Sequence, residues 1–151
     1  MASVRKVYKF NRIDANYVTY PADATIVPPA LTPNGFVPGL SAQVGLACTN
    51  VGTGLGGPVA GLGAAGAYLF GQIRVVEQDG AVGVQHKGYM HLPYVTGANQ
   101  PVIGQPVSVD GTGNVQKAAT FSGAICEGFE LDPEPIQPGA VSVLKCIVRK
   151  Y

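Results

Sequence analysis

Charge is the scarcest commodity in this chain. Only 13% of its 151 residues are charged, about half the usual share. Ten cations against nine acids leave a formal net charge of +1. So neutral a chain lacks the basic surface that nucleic-acid binding requires, and no direct nucleic-acid partner is expected. A protein kept dispersed by self-repulsion usually carries more charge, so the shortage points to a surface partly covered by other protein, or to a secreted or very compact all-β domain. Long apolar runs are missing too, which excludes a helical membrane span. Val51 to Phe70 is apolar, but its seven glycines and Pro58 make it a poor transmembrane helix. The first residues are polar and basic, no hydrophobic run follows them, and no export signal is expected. The cysteines are three, Cys48, Cys126 and Cys146, with no Cys-x2-Cys spacing. Buried free thiols are the expected state.

Catalytic signatures are equally sparse. Zinc needs three or four converging ligands, whereas His86 and His91 are the only histidines and their odd separation puts them on opposite faces of a strand. Both read as loop or sheet-surface residues, and neither a metal nor a cofactor is expected. Gly52 to Gly66 reads GTGLGGPVAGLGAAG. It has no Gly-Lys-Ser/Thr ending, which rules out a phosphate-binding P-loop. Gly52, Gly54 and Gly57 satisfy Gly-x-Gly-x-x-Gly, but Pro58 follows at once, no long helix opens, and βαβ patterning is missing. A surface loop, or backbone passing close to another subunit, fits better. Gly-x-Ser-x-Gly is absent. Asp79, Asp110, Glu127 and Glu130 fall near turns or strand ends and read as solvated turn residues, with paired acids for glycoside hydrolysis the alternative. The chain is expected not to be an enzyme.

What is present is β structure. Between Tyr68 and Lys117, short β-branched runs are punctuated by Gly, Asp-Gly and Pro. In Gly71 to Val76, Ile73 and Val75 alternate with Gln72 and Arg74, the period of a half-buried strand. Gln78-Asp79-Gly80-Ala81 predicts a tight reversal, after which Val82, Val84 and Met90 resume an inward face. Val107 and Val109 predict a third strand, closed by Asp110-Gly111-Thr112-Gly113. Gln43 to Cys48, Gly123 to Glu130 and Ala140 to Val148 are further strand candidates. The last is apolar on both faces and belongs in the middle of a sheet, or against a second layer. Val84, Val107, Ile125, Val143 and Ile147 are the expected core. Ala118 to Gly123 is too short for more than a helical turn. The pattern predicts an all-β fold, a small β-barrel or β-sandwich, with its body over residues 41–151.

Residues 1–40 differ from the rest. Val4 to Phe10 and Tyr17 to Tyr20 can each hold a short strand, but Pro21, Pro28, Pro29, Pro33 and Pro38 exclude a long helix or central strand after them. A long extended N-terminal arm is expected. Tyr8, Phe10, Tyr17 and Phe36 offer rigid aromatic anchors, and Arg5, Lys6, Lys9 and Arg12 can meet an acidic surface. These eight residues are the candidate contacts to another subunit. The alternative is that the arm closes its own barrel.

From about Gly71 to Val148 the chain resembles the head decoration, or structural cement, proteins of tailed bacteriophages. The resemblance is carried by VVEQDGAVGVQHKGYMHLP, VIGQPVSVDGTGNVQKA, SGAICEGFE and PGAVSVLKCIV. Within these, Val82-Gly83-Val84, Gly88 to Pro93, Gly104-Gln105-Pro106-Val107, Gly123-Ala124-Ile125-Cys126 and Val141-Ser142-Val143 fall on the family's order of short elements. It covers about half the chain, and residues 1–65 depart from it. It implies a non-enzymatic structural virion protein on the outer capsid surface, bound to the major capsid protein and assembled as a homo-oligomer, trimer or dimer. Another β-fold virion component (a head fibre base, a tail or minor coat protein) or a carbohydrate-binding module, with Tyr68, Tyr89 and Tyr94 as stacking platforms, remains the alternative.

Overall fold

The computed structural model describes residues 17–28, 41–52, 56–77, 79–132 and 143–151. Every regular element in them except one 3-10 turn, Gly97–Asn99, is a β-strand. In chain order these are β1 (Tyr17–Pro21), β2 (Ala47–Asn50), β3 (Ala60–Gly61), β4 (Gly71–Val76) and β5 (Ala81–Gln85), followed by β6 (Gly88–Leu92), β7 (Val107–Val109), β8 (Val115–Lys117), β9 (Ala124–Leu131) and β10 (Leu144–Lys150). The fold is all-β, as the alternation predicts.

The β4–β5 hairpin nucleates the larger sheet. Gly80 takes a φ of +88° at its turn, the left-handed geometry that glycine adopts without a Cβ clash. The Asp79 carboxylate accepts the Ala81 N–H at 2.9 Å. Glu77 donates its N–H to the Ala81 carbonyl. Around this hairpin the strands run in the order β1-β5-β4-β2-β3. The sheet curls as a half-barrel. Its two edges approach each other where Ala22, just past β1, forms a parallel bridge to Ala60 of β3. Curling in this way shields both edge strands from unwanted pairing. Ile26, Val44, Cys48, Ala60, Ile73, Val76, Val82 and Val84 fill its concave side.

The second sheet has the order β6-β10-β9, all antiparallel. The doubly apolar final strand thus takes the central place expected of it. The β7–β8 hairpin packs beside this sheet and is joined to it by bridges at Pro106–Ile125 and Tyr94–Val115. A second core lies between them, built from Met90, Leu92, Val107, Val109, Val115, Ala124, Cys126, Cys146 and Val148, with Ala47 and Leu69. Two buried glutamines, cross-strand partners in β4 and β5, tie the sheets together. The Gln72 amide donates to the carbonyls of Gly45 and His91. That of Gln85 donates to the carbonyls of Lys87 and Tyr89.

Several expectations need correction, and two ladder interruptions account for some of them. The β4–β5 ladder skips Arg74, and the β9–β10 ladder skips Glu127. An extra residue reverses the facing of everything beyond it. Val76, rather than Val75, therefore joins Ile73 in the core, and Gln72 is buried rather than outward. In β9 and β10 the buried positions are Ala124, Cys126, Cys146 and Val148. Val84 and Val107 are core as expected, but Ile125 and Ile147 are only partly buried and Val143 is 49% exposed. Residues 43–46 form a turn ahead of β2. The proposed arm also loses part of its length. Tyr17–Pro21 is an edge strand paired along its whole length with β5, and Ile26 is buried. Over residues 17–28 the chain therefore belongs to the body. Val4 to Phe10 and residues 29–40 lie outside the described residues.

Candidate interaction surface

On the face of the β6-β10-β9 sheet away from its core, alternation brings unlike residues together. β10 turns Cys146 and Val148 inward, so Arg149 points out. Register sets Arg149 between Tyr89 of β6 and Ile125 of β9. Its guanidinium lies 4.6 Å from the Tyr151 ring centroid and 5.8 Å from that of Tyr89. Both are within the range where a cation is drawn to an aromatic face. Phe121 meets Tyr151 edge-on at 6.0 Å. Among the described residues these rings are left largely uncovered: Tyr89 and Phe121 are each 58% exposed and Tyr151 is 53% exposed.

Two further cations lie at the same end of the sheet, on the side of His86. Lys150 follows Arg149 and stands across from Gly88, next to Lys87. Burial and then the Lys87 charge push the Lys150 ammonium below its ordinary value. Among the described residues, the acid paired with Arg149 is Glu127, at 3.9 Å and half-exposed. A pair that long and that wet contributes little. Arg149 therefore stands among exposed aromatics with one loosely held counter-charge among the described residues, while Lys150 and Lys87 lie toward His86. Tyrosine, phenylalanine and arginine are the residue types that interfaces concentrate.

A second aromatic group surrounds His86. Phe70 and Tyr20 pack edge-on against the imidazole at 4.6 and 5.0 Å, and Tyr68 against Phe70 at 6.4 Å. The Tyr20 hydroxyl bonds His86 Nε2, pinning edge strand β1 to the body. Burial, opposed by a bond to the Phe70 backbone and assisted by Lys150 and Lys87, holds the imidazole below its ordinary pKa. Tyr20 is raised, by burial and then by Cys48. His91 lies elsewhere, with Nε2 2.6 Å from Glu130 Oε1.

Of the sequence-derived contact residues, Arg5, Lys6, Tyr8, Lys9, Phe10, Arg12 and Phe36 lie outside the described residues. Tyr17 is the first residue of β1 and pairs with Gln85. The three tyrosines singled out as a stacking platform are not gathered into one. Tyr68 packs against Phe70, Tyr94 lies tilted on Phe129 at 4.9 Å, and Tyr89 belongs to the Arg149 cluster. Each acid considered for catalysis instead meets a donor: Asp79 the Ala81 N–H, Glu127 Arg149, Glu130 His91. Asp110 accepts four hydrogen bonds from Thr112 and Asn114. Burial alone would raise its pKa, but those bonds outweigh it and hold the carboxyl below its ordinary value. Among the described residues no group of three His, Cys, Asp or Glu side chains is placed to hold a metal ion. Arg149, Tyr151 and Phe121 were missed in the sequence. The available signal was Arg149 and Tyr151 at a spacing of two around a final apolar strand. Phe121 had none, because only tertiary contact brings it to Tyr151. Comparison with protein-family models, curated proteins and solved structures finds no match for this chain.

Proposed function

We propose that this chain is a structural virion protein that binds the outer surface of an assembled phage capsid and stabilises it by bridging subunits of the major capsid protein. The observation that carries the reading is the exposed Tyr89–Arg149–Tyr151–Phe121 cluster. It is a preorganised aromatic and cationic patch on a sheet face, where flat protein surfaces dock, rather than in a cleft. Its spare positive charge suits an acidic coat surface, so attachment weakens as salt screens it. The N-terminus supplies the second contact. Residues 1–16 carry four of the ten cations and one of the nine acids, leaving six cations against eight acids in the remainder. A basic segment leading into β1 and a separate patch on the second sheet permit one copy to hold two coat subunits. Two weak contacts on one chain multiply by avidity. A homo-oligomer, trimer or dimer, raises the number of contacts again.

The test is co-sedimentation of the full chain with undecorated capsid shells across a salt series. Arg149→Glu combined with Tyr151→Ser is expected to weaken binding about thirtyfold, the loss of one hot-spot pair worth about 2 kcal/mol, with an unchanged circular dichroism spectrum. Shells that ignore the wild-type chain refute the reading. Saturable binding of a glycan by the isolated chain, abolished by the same variant, would favour the carbohydrate-binding module instead.

A further inference from the structure

We propose that Cys126 and Cys146 are a redox latch, a buried dithiol that closes to a disulfide across β9 and β10 when the protein passes from a reducing to an oxidising milieu. Their Sγ atoms lie 3.4 Å apart. Both residues are fully buried, in the same core. A disulfide bond is about 2.05 Å long, so closure requires the sulfur atoms to approach by roughly 1.4 Å. The skipped Glu127 creates this pair. In the interrupted ladder Cys126 opposes Val148, and Cys146 opposes Phe129, so both cysteines point inward as diagonal neighbours. Cys48 is not part of it. It belongs to the other core, where its thiol donates to the Gly71 carbonyl, and burial pushes it up to about 12.

The chemistry balances with a small-molecule disulfide as oxidant. One cysteine loses its proton and attacks that disulfide, forming a mixed disulfide and releasing one small thiol. The second cysteine loses its proton and attacks the protein sulfur of the mixed disulfide, releasing the other small thiol. Two electrons and two protons leave the protein, and the oxidant becomes two thiols. Burial, and then its neighbour Cys126, hold the Cys146 thiol above its ordinary value. Closure is therefore slow and follows opening of the β9–β10 pair, which admits the reagent and frees a thiolate. The chemistry is independent of the capsid reading, but the timing rests on it. Protein made in a reducing cytosol stays open during assembly, and the latch closes once particles meet an oxidising exterior.

The full chain is incubated with oxidised glutathione in urea below its unfolding midpoint, and its thiols are counted after denaturation. The count is expected to fall from three to one. The intact mass should drop by about 2 Da with no glutathione adduct, and peptide mapping should join residue 126 to residue 146. The closed form should unfold at higher urea, and a dithiol reductant should abolish that shift. Cys48→Ser should close as the wild type does. Cys126→Ser and Cys146→Ser should each keep two thiols or stop at a glutathione adduct. A persistent count of three, or any bridge through Cys48, overturns the latch. Shell binding by the open and closed forms is measured separately. If the bridge forms but neither form binds shells, the capsid reading fails and the latch stands.

Discussion

Val143→Ala and Val148→Ala delete the same atoms from neighbouring positions, yet the structure assigns them different costs. Val148 is fully buried among Met90, Cys126 and Cys146, whereas Val143 is 49% exposed. Replacing valine by alanine removes the equivalent of two methylenes, each worth about 0.8 kcal/mol when fully buried. The transfer loss at Val148 is then about 1.6 kcal/mol, rising to about 2.5 kcal/mol if the core does not collapse into the cavity. At Val143 the same change should cost no more than about 0.5 kcal/mol. Both substitutions lose some strand propensity, so the difference of about 1–2 kcal/mol reports burial. The chain has no tryptophan, so tyrosine fluorescence and far-ultraviolet circular dichroism would follow urea unfolding together. With a slope of about 2 kcal/mol/M, Val148→Ala should lower the midpoint by roughly 1 M and Val143→Ala by a quarter of that or less. An equal or larger loss at Val143 would mean that the facing assigned to the last strand is wrong.

Deleting residues 2–16 should leave the circular dichroism spectrum unchanged and weaken shell binding, whereas deletion through Pro28 removes β1 and Ile26 and should leave the chain unfolded at 25 °C. A folded product from the longer deletion would return β1 to the arm. His86 is held below its ordinary pKa, so the unfolded chain binds its proton first as pH falls. Stability from this site is present above the unfolded value near 6.5, declines as pH drops below it, and stops changing below the folded pKa. The fall in melting temperature between pH 7.5 and 5 should be smaller in His86→Gln than in the wild type, and an equal fall would discard the site as a pH determinant. Asp110→Ala strips four accepted hydrogen bonds from the β7–β8 turn and should cost about 1–2 kcal/mol, read as a lower urea midpoint at pH 7. Because the Asp110 carboxyl is depressed in the folded state, its contribution is present above the unfolded carboxylate range and is lost as pH falls through the folded value. The penalty of Asp110→Ala should therefore shrink in acid, and a penalty independent of pH would show that the carboxylate charge is not what caps the turn.

What the sequence determined by itself was local. Strand identity over Gly71 to Val76, the reversal at Asp79-Gly80 and the strand of Val107 and Val109 closed by the turn at Asp110 follow from side-chain alternation and turn chemistry, which operate within a few residues. The central position of the last strand was one of the two places its apolar pattern allowed, although its face carrying Arg149 is open to solvent. Facing was legible only as far as the ladders stayed regular. Whether Arg74 and Glu127 are accommodated as extra residues depends on the strands opposite them, β5 and β10, and no pattern within β4 or β9 announces it. Arg74 moved Val75 out of the core, and Glu127 set Ile125 and Phe129 on different faces and brought Cys126 and Cys146 together, whereas Ile147 takes the face opposite Cys146 and Val148 in the unbroken alternation of β10. The interaction surface was hidden for the same reason. Tyr89, Phe121 and Arg149 are separated by tens of residues, and their meeting is a consequence of cross-strand register. Tertiary structure also decided that β1 belongs to the body. The prolines after Tyr20 limit how a strand can continue, but only the exposed edge of β5 offers residues 17–21 a partner.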